Sequence, residues 1–346
     1  MKRIGIIVIA MLAFLLLSSM AWVRISLLKP ALYVYPAYIK NVAIVDRSMP
    51  DESVKSKIEE ALTGEMMKQD EQAVRRVMEG MADACAGFDL YAMEKTPERL
   101  QGGGKKSVFP VPLNWDEVSA LCDKYQADAI LAVEIFDSDF LVANPVQVVR
   151  QAAEGAIITG GSYSVNGIAV IHFGIRLYDP ASQKIIDEYQ VSHRLNINAG
   201  GYTVQDAVNY VLNKVEAINQ ASYYAGRIYG ERITPSYYTV VREFYDRPRR
   251  NDDLRIGVRK SEVADWNGAI ESWTRALNDK KRKVRRRAAF NIAVAYEVLG
   301  DIEKAKEWAR KAYTEYEEKR ANDYYNMLVN REREEAIIRR QVPQGE

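Results

Sequence analysis

"GIAVIHFGIRLYDPASQKIIDEYQVSHRLNI", residues 167–197, carries the strongest β signal of the chain. Two long runs rich in Ile, Val, Phe and Tyr flank the cluster Asp179-Pro180-Ala181-Ser182. Proline presets φ for a turn, and aspartate and serine side chains bond the backbone ahead of them. The pattern predicts an antiparallel hairpin closed by a connection of roughly four to six residues.

Upstream of the hairpin, "ADAILAVEIFD" gives a hydrophobic strand over Ala129–Phe136, preceded by a helix over Trp115–Tyr125. The apolar run Val42–Val45 in "NVAIVDRS" reads as a first buried strand, and "FDLYAM" (88–93) as a short second one. Between them, Asp51–Leu62 and Asp70–Cys85 have amphipathic helical spacing. "QGGGKK" (101–106) reads as a loop, and residues 137–165 as an irregular insertion or a hairpin. Downstream, Thr203 to about Tyr224 places Val204, Val208, Val211, Val215 and Ile218 on one stripe, and a last strand near Tyr237–Phe244 closes this domain. Strands and helices interspersed around one clear antiparallel hairpin predict an α+β fold, a mixed sheet with covering helices over residues 24–248.

Past Pro248 and "RRNDD" the pattern is wholly helical and repeats itself. "DWNGAIESWTRAL" (265–277) and "GDIEKAKEWARKAY" (300–313) align with Ala269 over Ala305 and Ala276 over Ala312; Gly257 falls over Ala293 at the same offset. The expectation is two tetratricopeptide-like repeats, about 250–279 and 285–314, joined by the basic linker "NDKKRKV" and followed by a capping helix from Ala321 to Arg340. Ala269, Trp273, Ala305 and Trp308 read as packing residues. Ligand-contacting positions of such repeats lie on the inner helices, here around Asn291 and Val294.

Forty-eight Lys and Arg against 47 Asp and Glu leave a net charge of +1, so no global field recruits nucleic acid, and any basic patch is local. The sharpest such patch is "KKRKVRRR" (280–287), a solvated linker or a surface for phosphate, lipid head groups or an acidic partner. Cys85 and Cys122 each share a helix face with apolar residues and point to a core, as two buried thiols or as a pair. His172 and His193 lie one on each arm of the hairpin, and the turn register decides whether they share a face. No third metal ligand, phosphate loop or nucleophile motif accompanies them, and Asp137 and Asp139 are ordinary strand-end acids. The sequence therefore proposes no catalytic, cofactor-binding or metal residue.

At the amino terminus, Lys2 and Arg3 precede an uncharged run, Ile4–Val23, whose strongly apolar part is Ile4–Leu17. This reads as an export signal over residues 1–23. Ser19 and Ala21 would allow cleavage after Ala21, and the full run approaches the length that spans a bilayer as a retained anchor. Leu17, Ser18 and Ser19 also spell the box of a lipoprotein signal, but Met20 stands where the acylated cysteine belongs.

Taken together, "YIKNVAIVDRS", "LTGE" (62–65), "PLNWDEVSALCDKYQADAILAVEIFDSD", "FGIRLYDPASQKIID" and "RITPSYYTVVREFY", followed by repeats, resemble an uncharacterised Gram-negative, Bacteroidetes-type family of envelope lipoproteins with a domain of unknown function. "ADAILAVEIFD" and "IRLYDPASQKII" are also similar to the curli-secretion-lipoprotein and TolB amino-terminal folds. The resemblance implies export, membrane association through the amino terminus and a non-catalytic role, with lipid anchoring put in question by Met20. The expected function is a scaffold or adaptor on the periplasmic side of the envelope, binding another envelope protein or a peptide through its repeats. The alternative is an accessory subunit of an envelope secretion or export assembly.

Overall fold

The computed structural model describes residues 20–50, 64–103, 108–142, 146–148, 162–201, 214–247 and 251–342. It divides into two units, Ala31–Ser236 on one hand and Tyr237–Glu346 with the chain up to Pro30 on the other.

In the first unit the hairpin is present and longer than its apolar runs suggest. Strands β6 (Ser162–Asp179) and β7 (Lys184–Gly201) pair antiparallel along their length across the turn 180–183. Asp179 shapes that turn by accepting the Ala181 amide at 3.0 Å and the hydroxyls of Ser182 and Tyr38. Strands β2 (Asn41–Pro50), β3 (Ala92–Gly103), β4 (Ala129–Val142) and β5 (Val146–Val148) complete a six-stranded sheet. The order is β3-β2-β4-β6, with β5 and β7 both on β6; β2 runs parallel to β3 and β4, and the remaining pairs are antiparallel. This is a mixed sheet with helices, followed by an all-helical region, the α+β class that the alternation of elements predicts.

Three described helices belong to this unit: α1 (Gly64–Cys85), α2 (Trp115–Tyr125) and α3 (Lys214–Ile233). Helix α2 starts in a capping box between Asn114 and Glu117 and sets Val118 and Cys122 against Ala43, Val45, Ile130 and Ala132. Since side chains alternate along a strand, Val42, Ile44, Leu131 and Val133 face the other way, buried on the side of α1 and α3. Those two helices cross with no room between backbones: a Cβ on Gly226 would lie 2.0 Å from the Val77 carbonyl oxygen. Cys85 and Cys122 thus sit on opposite sides of the sheet, both free and buried.

Several expectations need correction. "FDLY" forms a turn, and β3 instead runs from Ala92 through the segment expected to be loop, Gln101–Gly103. Charged residues and Pro97 disguise it, and an edge strand accepts both. Strand β4 continues past Phe136 to Val142, and β5 and the start of β6 take up more of the stretch expected to be irregular; residues 149–161 lie outside the described residues. So do the helix expected at 51–62 and the expected helix positions 203–213. The described part, α3, extends to Ile233, with Ile218 buried but Val215 43% exposed. The expected closing strand, β8 (Ser236–Tyr245), does not join the sheet. It pairs with β1 (Met20–Lys29) in a separate ribbon, so Met20–Val23, assigned above to the leader, begin a strand of the second unit.

The second unit contains α4 (Asp252–Glu262), α5 (Trp266–Ala276), α6 (Arg282–Val298), α7 (Ile302–Thr314) and α8 (Arg320–Gln341). Asn251, Asp265 and Asp301 cap α4, α5 and α7 through side-chain bonds to backbone amides. Gly257 and Trp273 show why the first helix pair tolerates nothing larger: a Cβ at 257 would meet the indole nitrogen at 2.3 Å. Ala269, Trp273 and Ala305 are fully buried, whereas Trp308 is half-buried with the Lys311 ammonium 5.1 Å from its ring centre. The basic stretch expected to be a linker is half helix, because α6 already begins at Arg282.

The sheet of the first unit encloses a charge. Glu134 is fully buried, and its carboxylate accepts Arg47 at 2.7 Å, Arg176 at 3.1 Å and the Tyr178 hydroxyl at 2.6 Å. The same two guanidinium groups donate to the carbonyls of Val111 and Pro110, and Phe109 lies 4.5 Å under Arg176, so the cluster also ties segment 109–113 to the sheet. Removing one partner of such a cluster leaves the others buried and uncompensated. Glu134→Gln is expected to cost about 3–5 kcal/mol, read as a lower urea midpoint; an unchanged midpoint would refute the charge-compensation account.

Burial and the bond to Glu134 push Tyr178 up to about 12, and burial likewise lifts Tyr91 to about 12. Their ordinary value is 10.0, so below it both states are protonated; above it only the unfolded chain ionises. With the two buried thiols, whose ordinary value is 9.0, titrating in the same way, stability is expected to begin falling near pH 9 and to fall more steeply between pH 10 and 12, measurable by urea titration at stepped pH. Burial also raises Cys85 to about 12 and Cys122 to about 11, so neither thiol should react with a disulfide reagent at neutral pH until the chain is unfolded.

Candidate functional site

The inner face expected of the repeats falls on α6, the helix that carries Asn291 and Val294. On a helix, Arg287, Asn291, Val294 and Glu297 form one stripe. All four are buried, as is every residue from Arg287 to Ala295. A helix packed on one side by its neighbours would leave the opposite stripe in water. Here the stripe is covered from within the unit by β8 and by α8.

The cover is specific. The Asn291 side chain accepts the Tyr245 amide at 2.7 Å and donates to the Tyr245 carbonyl at 2.7 Å, so one carboxamide satisfies both polar groups of one peptide residue. Six positions along α6, Glu297 takes Arg242 in a two-point ion pair, 2.8 Å from Nε and 2.9 Å from Nη2, and also accepts the Tyr324 hydroxyl of α8. At the other end, Arg287 donates to the Arg247 carbonyl at 2.6 Å and stacks 4.5 Å from the Tyr245 ring centre. From 297 to 287 the helix rises about 15 Å, and from 242 to 247 an extended chain covers about 16 Å. The strand therefore lies along α6 in the opposite direction, in step with it. Burial opposes the Arg242 charge, but the bond to Glu297 and its negative charge raise the Arg242 pKa; burial, then the Glu297 charge, lift Tyr324 well above the tyrosine range. The Arg242 guanidinium is thus held charged inside the core.

Residues Phe244 and Tyr245 anchor the strand's end, Phe244 at 5.9 Å from both Trp266 and Trp273, and Tyr245 at 5.7 Å from Phe290. Strand β1 completes the cover, with Met20, Ala21 and Val23 packed on the same core and the Leu28 carbonyl accepting Arg331 of α8. The outward positions of this ribbon are Trp22, Arg24 and Ser26 on β1 and Tyr237, Thr239, Val241 and Glu243 on β8. Of these, Trp22, Tyr237 and Val241 are large apolar groups 61%, 71% and 55% exposed.

The remaining candidate residues are dispersed. In the hairpin His193 is opposite Ile171 and His172 opposite Ser192, so the two histidines fall on opposite faces of the sheet. Asp137 is across from His172, and Asp139 across from Val170. Among the described residues no group of three or more His, Cys, Asp or Glu is arranged to hold a metal, and no helix is long and apolar enough to cross a membrane. The groove's self-occupancy was not legible in sequence; the one available signal was the polar stripe Arg287, Asn291 and Glu297 on a helix expected to face inward.

Loss of the Asn291 carboxamide would leave two buried backbone groups without partners, at about 2–4 kcal/mol. Asn291→Ala is expected to speed hydrogen exchange at the amides of residues 238–245 by about 30-fold or more. Unchanged protection there would show that the clamp does not hold the strand.

No curated protein matches the sequence. Of the solved structures similar to it, a putative neuraminyllactose-binding hemagglutinin homolog from Helicobacter pylori is 10% identical, covering 60% of this chain and 92% of its own, with a TM-score of 0.26. The PelC dodecamer from Paraburkholderia phytofirmans is 10% identical, covering 59% of this chain and 99% of its own, with a TM-score of 0.19. Residues 255–330 match a domain of unknown function, DUF6340, and residues 39–245 match another, DUF8603. The second match spans more than half of the sequence, and the chain belongs to the family defined by that domain of unknown function, DUF8603.

Proposed function

We propose that the protein is a non-catalytic scaffold of the cell envelope, exported by its amino-terminal apolar run and engaging a protein or peptide partner through its helical unit. The partner docks on the solvent face of the β1–β8 ribbon and not in the groove between the helices. The observation that supports this is the occupied α6 stripe: the surface a peptide would use on such repeats already holds the chain's own strand through Asn291 and Glu297.

What the ribbon offers in exchange is an apolar face built from Trp22, Tyr237 and Val241, of the kind that marks protein interaction sites. A two-stranded sheet also leaves each strand a second edge, where an extended partner segment can add as a further strand. The proposed partner is therefore a segment with alternating apolar side chains, recognised by its backbone at the edge and by its side chains on the ribbon face. The proposal assigns no catalytic residue, cofactor or metal.

Photo-crosslinking in intact cells tests it. A photoreactive residue at position 241 is expected to give a discrete adduct with an envelope protein, and one at Val263, exposed at a helix turn, none. Adducts of equal yield from both positions, or none from 241, would overturn the ribbon as the docking face.

A further inference from the structure

Strand β7 is one margin of the six-stranded sheet. It pairs β6 along its length, and among the described residues no strand lies on its other side. Such an edge is a row of backbone donors and acceptors open to another chain, and proteins blunt it with proline, lysine, a bulge or short length. This margin is blunted at one end only. Tyr33 donates to the Ile186 carbonyl at 2.7 Å, and the register with β6 slips between Ile185 and Asp187. From Glu188 to Arg194 the pairing is regular, the segment holds neither proline nor lysine, and Glu188, Tyr189, Ser192 and Arg194 are exposed.

The segment "EYQVSHR" (188–194) is complementary to itself. A two-fold axis through Val191 lays a second copy antiparallel to the first, with Glu188 opposite Arg194, Tyr189 opposite His193 and Gln190 opposite Ser192. Because side chains alternate, the four polar residues share one face, and Tyr189, Val191 and His193 share the other. Opposite charges directly across two strands stabilise their pairing, and like charges there break it. The axis produces the Glu188–Arg194 apposition twice. Glu188 binds Arg176 of its own copy through Oε2 at 2.6 Å and keeps Oε1 for a second cation, while Arg194 is in no ion pair among the described residues.

Helix α3 extends the same margin. It lies over β6 and β7, and α1 packs on its Gly226 and Gly230 side. Tyr224 and Ile228 are each two residues from Gly226, about 160° round the helix. They therefore point away from α1 and over the open margin, 42% and 40% exposed, with the Tyr224 ring 6.4 Å from His193 of β7. Paired strands lie about 4.8 Å apart, so the axis stands the two copies of α3 side by side on one face of a continuous sheet. That is the roughly 8–10 Å range of helix packing, with Tyr224 and Ile228 as the side chains between them.

We propose that this margin binds a second copy of the chain, β7 adding to β7 over Glu188–Arg194 with the two α3 helices alongside. The occupant is a second copy because the charge pattern of the edge is matched by its own sequence in reverse. The surface lies wholly within the first unit, so the proposal stands apart from docking on the β1–β8 ribbon.

The test uses the full chain in a mild detergent that keeps its apolar amino terminus dissolved, with mass read by sedimentation equilibrium. The unaltered chain is expected to be a dimer. Arg194→Glu and Glu188→Lys each set like charges opposite one another at both ends of the contact, and each is expected to weaken self-association by about tenfold or more. Mixed in equal amounts, the two variants restore both opposite-charge pairs and are expected to form a mixed dimer. Because Glu188 also binds Arg176, a second measurement leaves it untouched. Val191→Cys lies on the axis, where directly opposed Cα atoms are about 4.5–5.5 Å apart, within the roughly 4.4–6.8 Å that a disulfide spans. Mild oxidation should give a covalent dimer through position 191 and none with Ser182→Cys in the exposed turn, the native thiols being buried. A monomeric chain, association unchanged in both charge variants, folded variants that do not combine with each other, or a yield at 191 no higher than at 182 would each overturn the inference.

Discussion

An extended strand can be buried against a helix only if its peptide groups find partners, because the helix has spent its own amides and carbonyls internally. Most proteins meet this constraint with more sheet. Here Asn291 meets it with one side chain, which takes both polar groups of Tyr245, while β1 pairs the strand from the side. The rest of the helical unit follows from that contact. With β8 in place, α6 can be buried all round from Arg287 to Ala295, Arg242 can reach Glu297 in the core, and Phe244 can close on the two tryptophans.

The sheet unit solves a related problem with charge. Glu134 lies between the apolar residues Val133 and Ile135 of its own strand, and its carboxylate is stabilised only because Arg47, Arg176 and Tyr178 reach it from the adjacent strands β2 and β6. Both arginines also hold backbone carbonyls of segment 109–113. A second such cluster gathers Tyr33, Tyr35, Tyr229 and Arg232 around Asp187 and fixes the tyrosine-rich segment that precedes β2. Charge buried in pairs rigidifies the places where irregular chain lies on regular structure.

These devices bear on function by deciding which surfaces stay open. A groove filled in cis is not a vacant peptide site, and on the proposed reading recognition moves outward to the ribbon that fills it. Among the described residues the ribbon begins at Met20, so residues 20–23 of the expected leader region are a structural part of the helical unit. Cutting after Ala21 would still leave Trp22–Lys29 of β1 in place.

The sequence by itself determined the elements whose signals are local: the hairpin around Asp179, helix α2 between its caps, and the 36-residue offset from Gly257 to Ala293 that marks two helix pairs. Periodicity and turn chemistry suffice for these because each is decided within a few residues. The candidate site was legible only as the position of Asn291 on an inner helix. Which strand goes with which unit was decided by tertiary structure alone. The apolar alternation of Tyr237–Phe244 fits either a sheet edge or a helical groove, and what separates them is whether Asn291, Glu297 and the aromatic rings of α5 and α6 are there to receive it. In the same way, the one-residue register that sends His172 and His193 to opposite faces, and the partners that make Glu134 tolerable, come from strands far apart in sequence. Burial and pairing are properties of the folded neighbourhood, and no local pattern encodes them.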